Sequence, residues 1–328
     1  MLSRLILLLA VVMAPMAFAW AEDRVSPKTE FEFPAGIWSG RHAMDDIAAQ
    51  LSFGPRVLDT AGHEKTVQYI EGELAATKAA TIKGQQWIDT GDHALRGWAH
   101  TVGGAQHALV NIVARFYPDN PRRIIVGTHY DSLVRAYRDQ GHPDTPMPGA
   151  NNSASGVALL LETARTLGSL PAPPVGIDFV FFDGGQGAKS LGANDPQGHP
   201  LGSSYFAQHL EDFYAGDKPE QAILFDMVCT KNLELSPEPL SLTLAKPEAE
   251  KFWRIGATLA PAVFRQDPYA STINNDHDAL IKAGIPAFLV IDHKNEPWLN
   301  ASADTLDKCS AASLQAVGRT LLQYIYAM

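Results

Sequence analysis

The stretch VGIDFVFFDGGQG, residues 175–187, decides the fold. Its apolar run to Phe182 stops at Asp183, as a buried strand does at its carboxyl end, and a glycine-rich turn follows. Upstream, NNSASGVALLLETARTLGSL predicts a helix from about Ser153, with an apolar stripe and a Pro-rich exit at 171–174. Before that, RRIIVGTHYD predicts a second apolar strand, Ile124–Gly127, stopping at Thr128-His129-Tyr130-Asp131. Strand, helix and strand with short buried runs make a parallel unit.

The same alternation continues in both directions. Helical periodicity covers 41–53 and 62–78, and extended segments lie near 80–90 and 107–117. After a glycine-rich insertion at 184–202 come the helix SSYFAQHLEDFY and the strand QAILFDMV, which ends at Asp226. LSLTL (240–244) reads as another strand, followed by helices at 247–260 and 277–283 and a last strand, IPAFLVI (285–291). DTLDKCSAASLQAVGRTLLQYIYAM closes the chain as one long amphipathic helix. The pattern predicts an α/β three-layer sandwich, a central, mostly parallel twisted sheet flanked by helices, in a single domain over 22–328.

The first residues carry Arg4, an apolar run from Leu5 to Met13 and small-residue triplets ending at Ala19 or Ala21. This is the layout of a secretory signal peptide over 1–21, with a retained N-terminal anchor as the alternative, so the mature protein is expected to be exported, periplasmic or secreted. No later segment has enough uninterrupted apolar residues to span a bilayer. With 26 basic against 36 acidic residues the net charge is −10, which argues against nucleic acid or anionic lipid as a partner. The two cysteines, Cys229 and Cys309, would meet an oxidising compartment, and a disulfide between them is open.

Polar residues gather at the strand ends: His129 and Asp131, Asn151 and Asn152, Asp183 to Gln186, and Asp226. NNDHD (274–278) precedes the last strand and PWLNASADTLDK follows it. Ligands collect beyond the carboxyl ends of strands in such sheets, so these clusters predict one pocket. There is no GxSxG, GxxxxGK[ST], HExxH or CxxC motif. Ser153 and Ser155 sit at a helix start, where serine caps rather than attacks.

Together LSFGPRVLDTAGHEKTVQYIEGEL, GTHYDS, PGANNSASG, FVFFDG, GSSYFA, ILFDMV, DHDALIKAGIPAFLVI and DTLDK resemble the zinc-dependent aminopeptidases and their glutaminyl cyclase relatives, closer to the cyclase branch. The resemblance implies zinc ions that polarise a peptide carbonyl or a glutamine amide, with a glutamate as general base. It matches His129 to a histidine ligand, Asp131 to its orienting carboxylate and Asp226 to an aspartate ligand. It also matches Asn152 to a bridging aspartate, Gly185 to the general-base glutamate, Gln186 to a glutamate ligand and Asn300 to the last histidine ligand. Asn275-Asp276-His277 takes the place of a carboxylate-carboxylate-histidine run, with His277 a structural position. Trp298 stands close to where cyclases put a pocket tryptophan.

On this matching the zinc that cyclases keep would face three amides, and the base position has no side chain. The first reading is therefore a relative without zinc or catalysis, in which Asn152, Gln186 and Asn300 pair with His129 and Asp226, and a peptide amino terminus or small amide is the ligand. The second is an active zinc-dependent cyclotransferase or aminopeptidase with an unconventional ligand set, completed around His129 and Asp226 by His142, Asp144, Asp195, His199 or His293. A third is an interaction protein with a vestigial pocket. No cofactor is expected under the first and third readings, zinc under the second.

Overall fold

In the central sheet the strands are β1 (Thr81–Asp89), β2 (His107–Phe116), β3 (Arg123–His129), β4 (Gly176–Phe182), β5 (Gln221–Asp226) and β6 (Ala287–Ile291). They lie in the order β1-β2-β4-β3-β5-β6. β1 and β2 are antiparallel to their neighbours, whereas β4, β3, β5 and β6 run parallel. This computed structural model describes residues 31–34, 36–89, 107–139, 141–186, 200–294 and 296–328. The signal-peptide reading over 1–21, most of the glycine-rich insertion, Asp195 and His199 lie outside the described residues. Residues 31–328 fall in one compact unit, and among the described residues no helix is long and apolar enough to cross a membrane.

The strand sequences dictate three layers. β3 and β4 are buried at every position, as strands covered on both faces must be. Alternate residues serve opposite cores: Ile124, Val126, Ile177, Phe179 and Phe181 join one apolar cluster, and Ile125, Val180 and Phe182 the other. The first cluster takes in the helices α1 (Gly40–Ser52), α2 (Ala61–Ala75), α3 (Ser155–Gly168), α6 (Lys246–Leu259) and α8 (Ala311–Tyr326). The second takes in α4 (Leu201–Gln208) and α7 (His277–Lys282). Ser39 and Thr60 cap α1 and α2, each accepting from the backbone three residues on.

The segment 240–244 is not a strand. Its alternating leucines imitate a two-residue period, but Pro239 opens a short helix, α5 (Pro239–Leu244), and the Glu238 carboxylate accepts from the Leu240 and Ser241 amides. The closing helix also starts later than its pattern suggests. Residues Leu306–Lys308 form a single 3₁₀ turn, and Ser310 caps α8.

The topology fixes where a ligand can enter. From β3 the chain moves to β4 on one side, and from β5 it moves to β6 on the other. The crevice between β3 and β5 is therefore a topological switch point, open beyond their carboxyl ends. His129 ends β3 and Asp226 ends β5.

Candidate functional site

His129 and Asp226 face each other across this crevice, with Nε2 and Oδ1 3.5 Å apart. The ring is almost wholly buried, and Asp131 Oδ1 holds its Nδ1 at 3.1 Å. Burial disfavours a charged ring, but the carboxylates of Asp226 and Asp131 outweigh it and hold the imidazole pKa well above its ordinary value. Asp226 Oδ2 accepts from the Asn275 side-chain amide at 2.9 Å. Asp276 is buried beside this group, and burial pushes its carboxyl up to about 6 against the pull of His129.

The three amides form a row. Asn152 Nδ2 donates to Asn300 Oδ1 at 3.0 Å, and Gln186 Nε2 donates to Asn152 Oδ1 at 3.1 Å. The same Gln186 nitrogen approaches His129 Nε2 at 3.5 Å. Asn300 is held in the left-handed backbone region at φ 55°, which asparagine tolerates. The structure thus brings His129, Asp131, Asn152, Gln186, Asp226, Asn275, Asp276 and Asn300 to one place. Trp298 lies half-buried in the turn that carries Asn300.

Gly185 closes the row from above. Its N–H donates to Asp131 Oδ1 at 2.7 Å, and its α-carbon packs directly on the His129 ring. A β-carbon there would stand 2.3 Å from both Cβ and Cγ of His129. A side chain at 185 therefore needs His129 or the 184–186 backbone to move.

Other candidates have structural partners. His277 is fully buried against Glu238, its Nε2 3.2 Å from Oε2. Asp183 receives the Val110 and Gly184 amides and pairs with His63 Nε2 at 2.9 Å, so its oxygens support the loop. Ser153 and Ser155 give their hydroxyls to the carbonyls of Asp131 and Asn151. His142 and Asp144 are exposed, Asp144 pairing with Arg135, and exposed His293 packs edge-on against Tyr269. None of these three joins His129.

Sequence reading missed Arg56, His63 and the role of Asp304. Arg56 is fully buried and Asp304 anchors the loop before α3. A lone arginine beside Val57 and Leu58 was the one available signal. Cys229 and Cys309 are joined in a disulfide, and Asn151 Oδ1 accepts from the Cys229 amide at 3.0 Å.

The donor set can be weighed for zinc. Among the described residues, His129 Nε2 and Asp226 Oδ1 are the zinc-type donors that face each other, Asp131 is engaged on the other ring nitrogen, and no group of three His, Cys, Asp or Glu side chains could hold a metal. A catalytic zinc takes three protein ligands and an open position. Neutral amides bonded to one another do not make up the missing charge, so these residues do not fit that ion.

Comparison with known proteins agrees with the fold. The aminopeptidase YwaD of Bacillus subtilis (strain 168) is 28% identical over 225 residues, 66% of this chain and 44% of that protein. This chain therefore spans less than half the length of that relative. The solved glutaminyl cyclase of Tannerella forsythia superposes with a TM-score of 0.78 at 29% identity, covering 88% of this chain and 98% of that one. A Zn-dependent exopeptidase from Parabacteroides distasonis matches with the same TM-score, identity and coverage. The model of peptidase family M28 matches residues 111–325, and the chain belongs to that family.

Proposed function

We propose that this protein is an exported relative of the glutaminyl cyclases and aminopeptidases that has given up zinc and catalysis and keeps the pocket to receive a peptide amino terminus or a small amide. The observation that carries this reading is the hydrogen-bonded amide row from Asn300 through Asn152 to Gln186, ending against His129. Removing a cation from clustered carboxylates leaves buried like charges, and replacing acids by amides of similar shape relieves them. The remaining carboxylates Asp131 and Asp226 share the His129 ring as their counter-charge. The disulfide favours an oxidising compartment and so supports export.

Among the described residues the row satisfies itself, and no hydrogen bond engages the Asn300 amino group or the Gln186 carbonyl, one donor and one acceptor for an amide ligand. Melting the mature protein with increasing amino-terminal glutaminyl peptide, or with a simple primary amide, tests this. A pocket that binds gains stability with ligand concentration, and a vestigial one gains none. A second reading, a zinc enzyme with unconventional ligands, has one observation in its favour. Among the described residues, Asp226 Oδ1 is buried without a hydrogen-bond partner and faces His129 Nε2.

A further inference from the structure

We infer that Arg56 and Asp304 are positioning residues that grip the 148–152 loop through its carbonyls and its amides respectively and so set where Asn152 and the amide row lie. Arg56 comes from the connection between α1 and α2 and spends all three guanidinium nitrogens on backbone carbonyls. Nε donates to Tyr130 at 3.0 Å, Nη1 to Pro148 at 2.7 Å and Nη2 to Gly149 at 2.6 Å. Its own backbone pairs reciprocally with Ser132, N to Oγ at 2.9 Å and Ser132 N to its carbonyl at 3.1 Å. Asp304 takes the loop's amides instead. Its backbone carbonyl accepts from Ala150 N at 3.1 Å, Oδ1 from Asn151 N at 2.8 Å and Oδ2 from Asn152 N at 3.0 Å.

Five consecutive residues, 148 to 152, thus each commit a backbone group to Arg56 or Asp304, four to their side chains and Ala150 to the Asp304 backbone carbonyl. The fit around the guanidinium is close. Gly149 lies in the left-handed region at φ 69°, and a β-carbon there would stand 2.6 Å from Arg56 Nη2 and 2.3 Å from the Asn152 carbonyl oxygen. Bulk alone would be filled more cheaply by an apolar side chain, because a buried charge is costly. Burial pushes the Arg56 pKa down to about 10 and the Asp304 carboxyl up to about 6. What an apolar residue lacks is a planar fork that meets carbonyls from two different loops at fixed angles. The Tyr130 contact ties the His129-to-Asp131 segment to the loop that carries Asn152, so both halves of the pocket take their spacing from Arg56.

Amide hydrogen exchange on the mature, disulfide-bonded protein tests this with Arg56→Lys, Arg56→Met and Asp304→Asn. Lysine keeps the charge but offers no fork. A positioning role therefore predicts that Arg56→Lys loses about tenfold or more of the protection at Asn151 and Asn152, with α6 protected as before. Asp304→Asn should expose the same two amides. Wild-type protection of the loop in Arg56→Lys, or an equal loss in α6 and the loop, overturns the inference. Should Arg56→Met fail to fold, the other two variants decide. No ligand enters the readout, so this result stands apart from whether a glutaminyl peptide binds.

Discussion

Replacing Gly185 by alanine should be costly for so small a change. The added methyl would stand 2.3 Å from His129 Cβ and Cγ and 2.7 Å from Nδ1, well inside van der Waals contact. Relief requires either displacing His129, β-carbon included, from Asp131 and Asp226 or lifting the 184–186 backbone. The second route breaks the 2.7 Å bond from Gly185 N to Asp131. Overpacking of this kind costs about 1–3 kcal/mol. In a protein of this size, with an unfolding entropy of about 2.1 cal/mol/K per residue, that lowers Tm by roughly 1.5 °C per kcal/mol. Urea unfolding of Gly185→Ala, alone and combined with His129→Gly, which removes the 129 β-carbon along with the ring, measures it. The cost should largely vanish when the whole 129 side chain is gone, giving a coupling energy of about 1–3 kcal/mol between the two positions. A Gly185→Ala variant within ~0.5 kcal/mol of the parent, or an equal loss in both backgrounds, would show that the 185 backbone does not rest on His129. The same contact bears on recovering a base. Gly185→Glu cannot place a carboxylate in the pocket until His129 or its own loop has moved.

The other predictions are simpler. Asn152→Asp, Gln186→Glu and Asn300→His together should create measurable zinc affinity by calorimetry, and the metal-free triple variant should melt lower than the parent because new carboxylates join Asp226 and Asp131; an intact triple variant without zinc affinity means that these positions are wrongly matched. Burial pushes the Asp292 carboxyl up to about 6, against Lys294 and Thr230. The folded chain then keeps a proton that the unfolded chain releases between about pH 4 and 6, so this group lowers stability as pH rises through that window. Asp292→Asn should therefore gain on the order of 1–3 kcal/mol over the parent at pH 7 and little at pH 4, as followed by urea unfolding. The Cys229–Cys309 disulfide closes a separation of 80 residues, and replacing both cysteines by serine should cost about 2–5 kcal/mol in thermal or urea unfolding.

Much of the fold can be read from local pattern, because β3, β4 and β5 are continuous apolar runs and α1, α2, α6 and α8 carry clean helical stripes. LSLTL misleads because its period of two is real. What overrides it is a capping carboxylate at Glu238 and a proline at the first helical position, and the outcome depends on Glu238 being buried with His277 and Ser241. The candidate site divides in the same way. The residues at strand ends are legible since a sheet must deliver them to one edge. The amide row itself, the seat of Gly185 on His129 and the reach of Arg56 to carbonyls at 130, 148 and 149 are not, because each depends on the approach of segments far apart in the chain.

Whether the amide row has replaced zinc is most directly decided by elemental mass spectrometry of the mature protein, exported in zinc-replete medium and purified without a histidine tag. The expected result is far less than one zinc per chain, unchanged after dialysis against added zinc. Near-stoichiometric zinc that survives dialysis would contradict it and would require a ligand set built around His129 and Asp226.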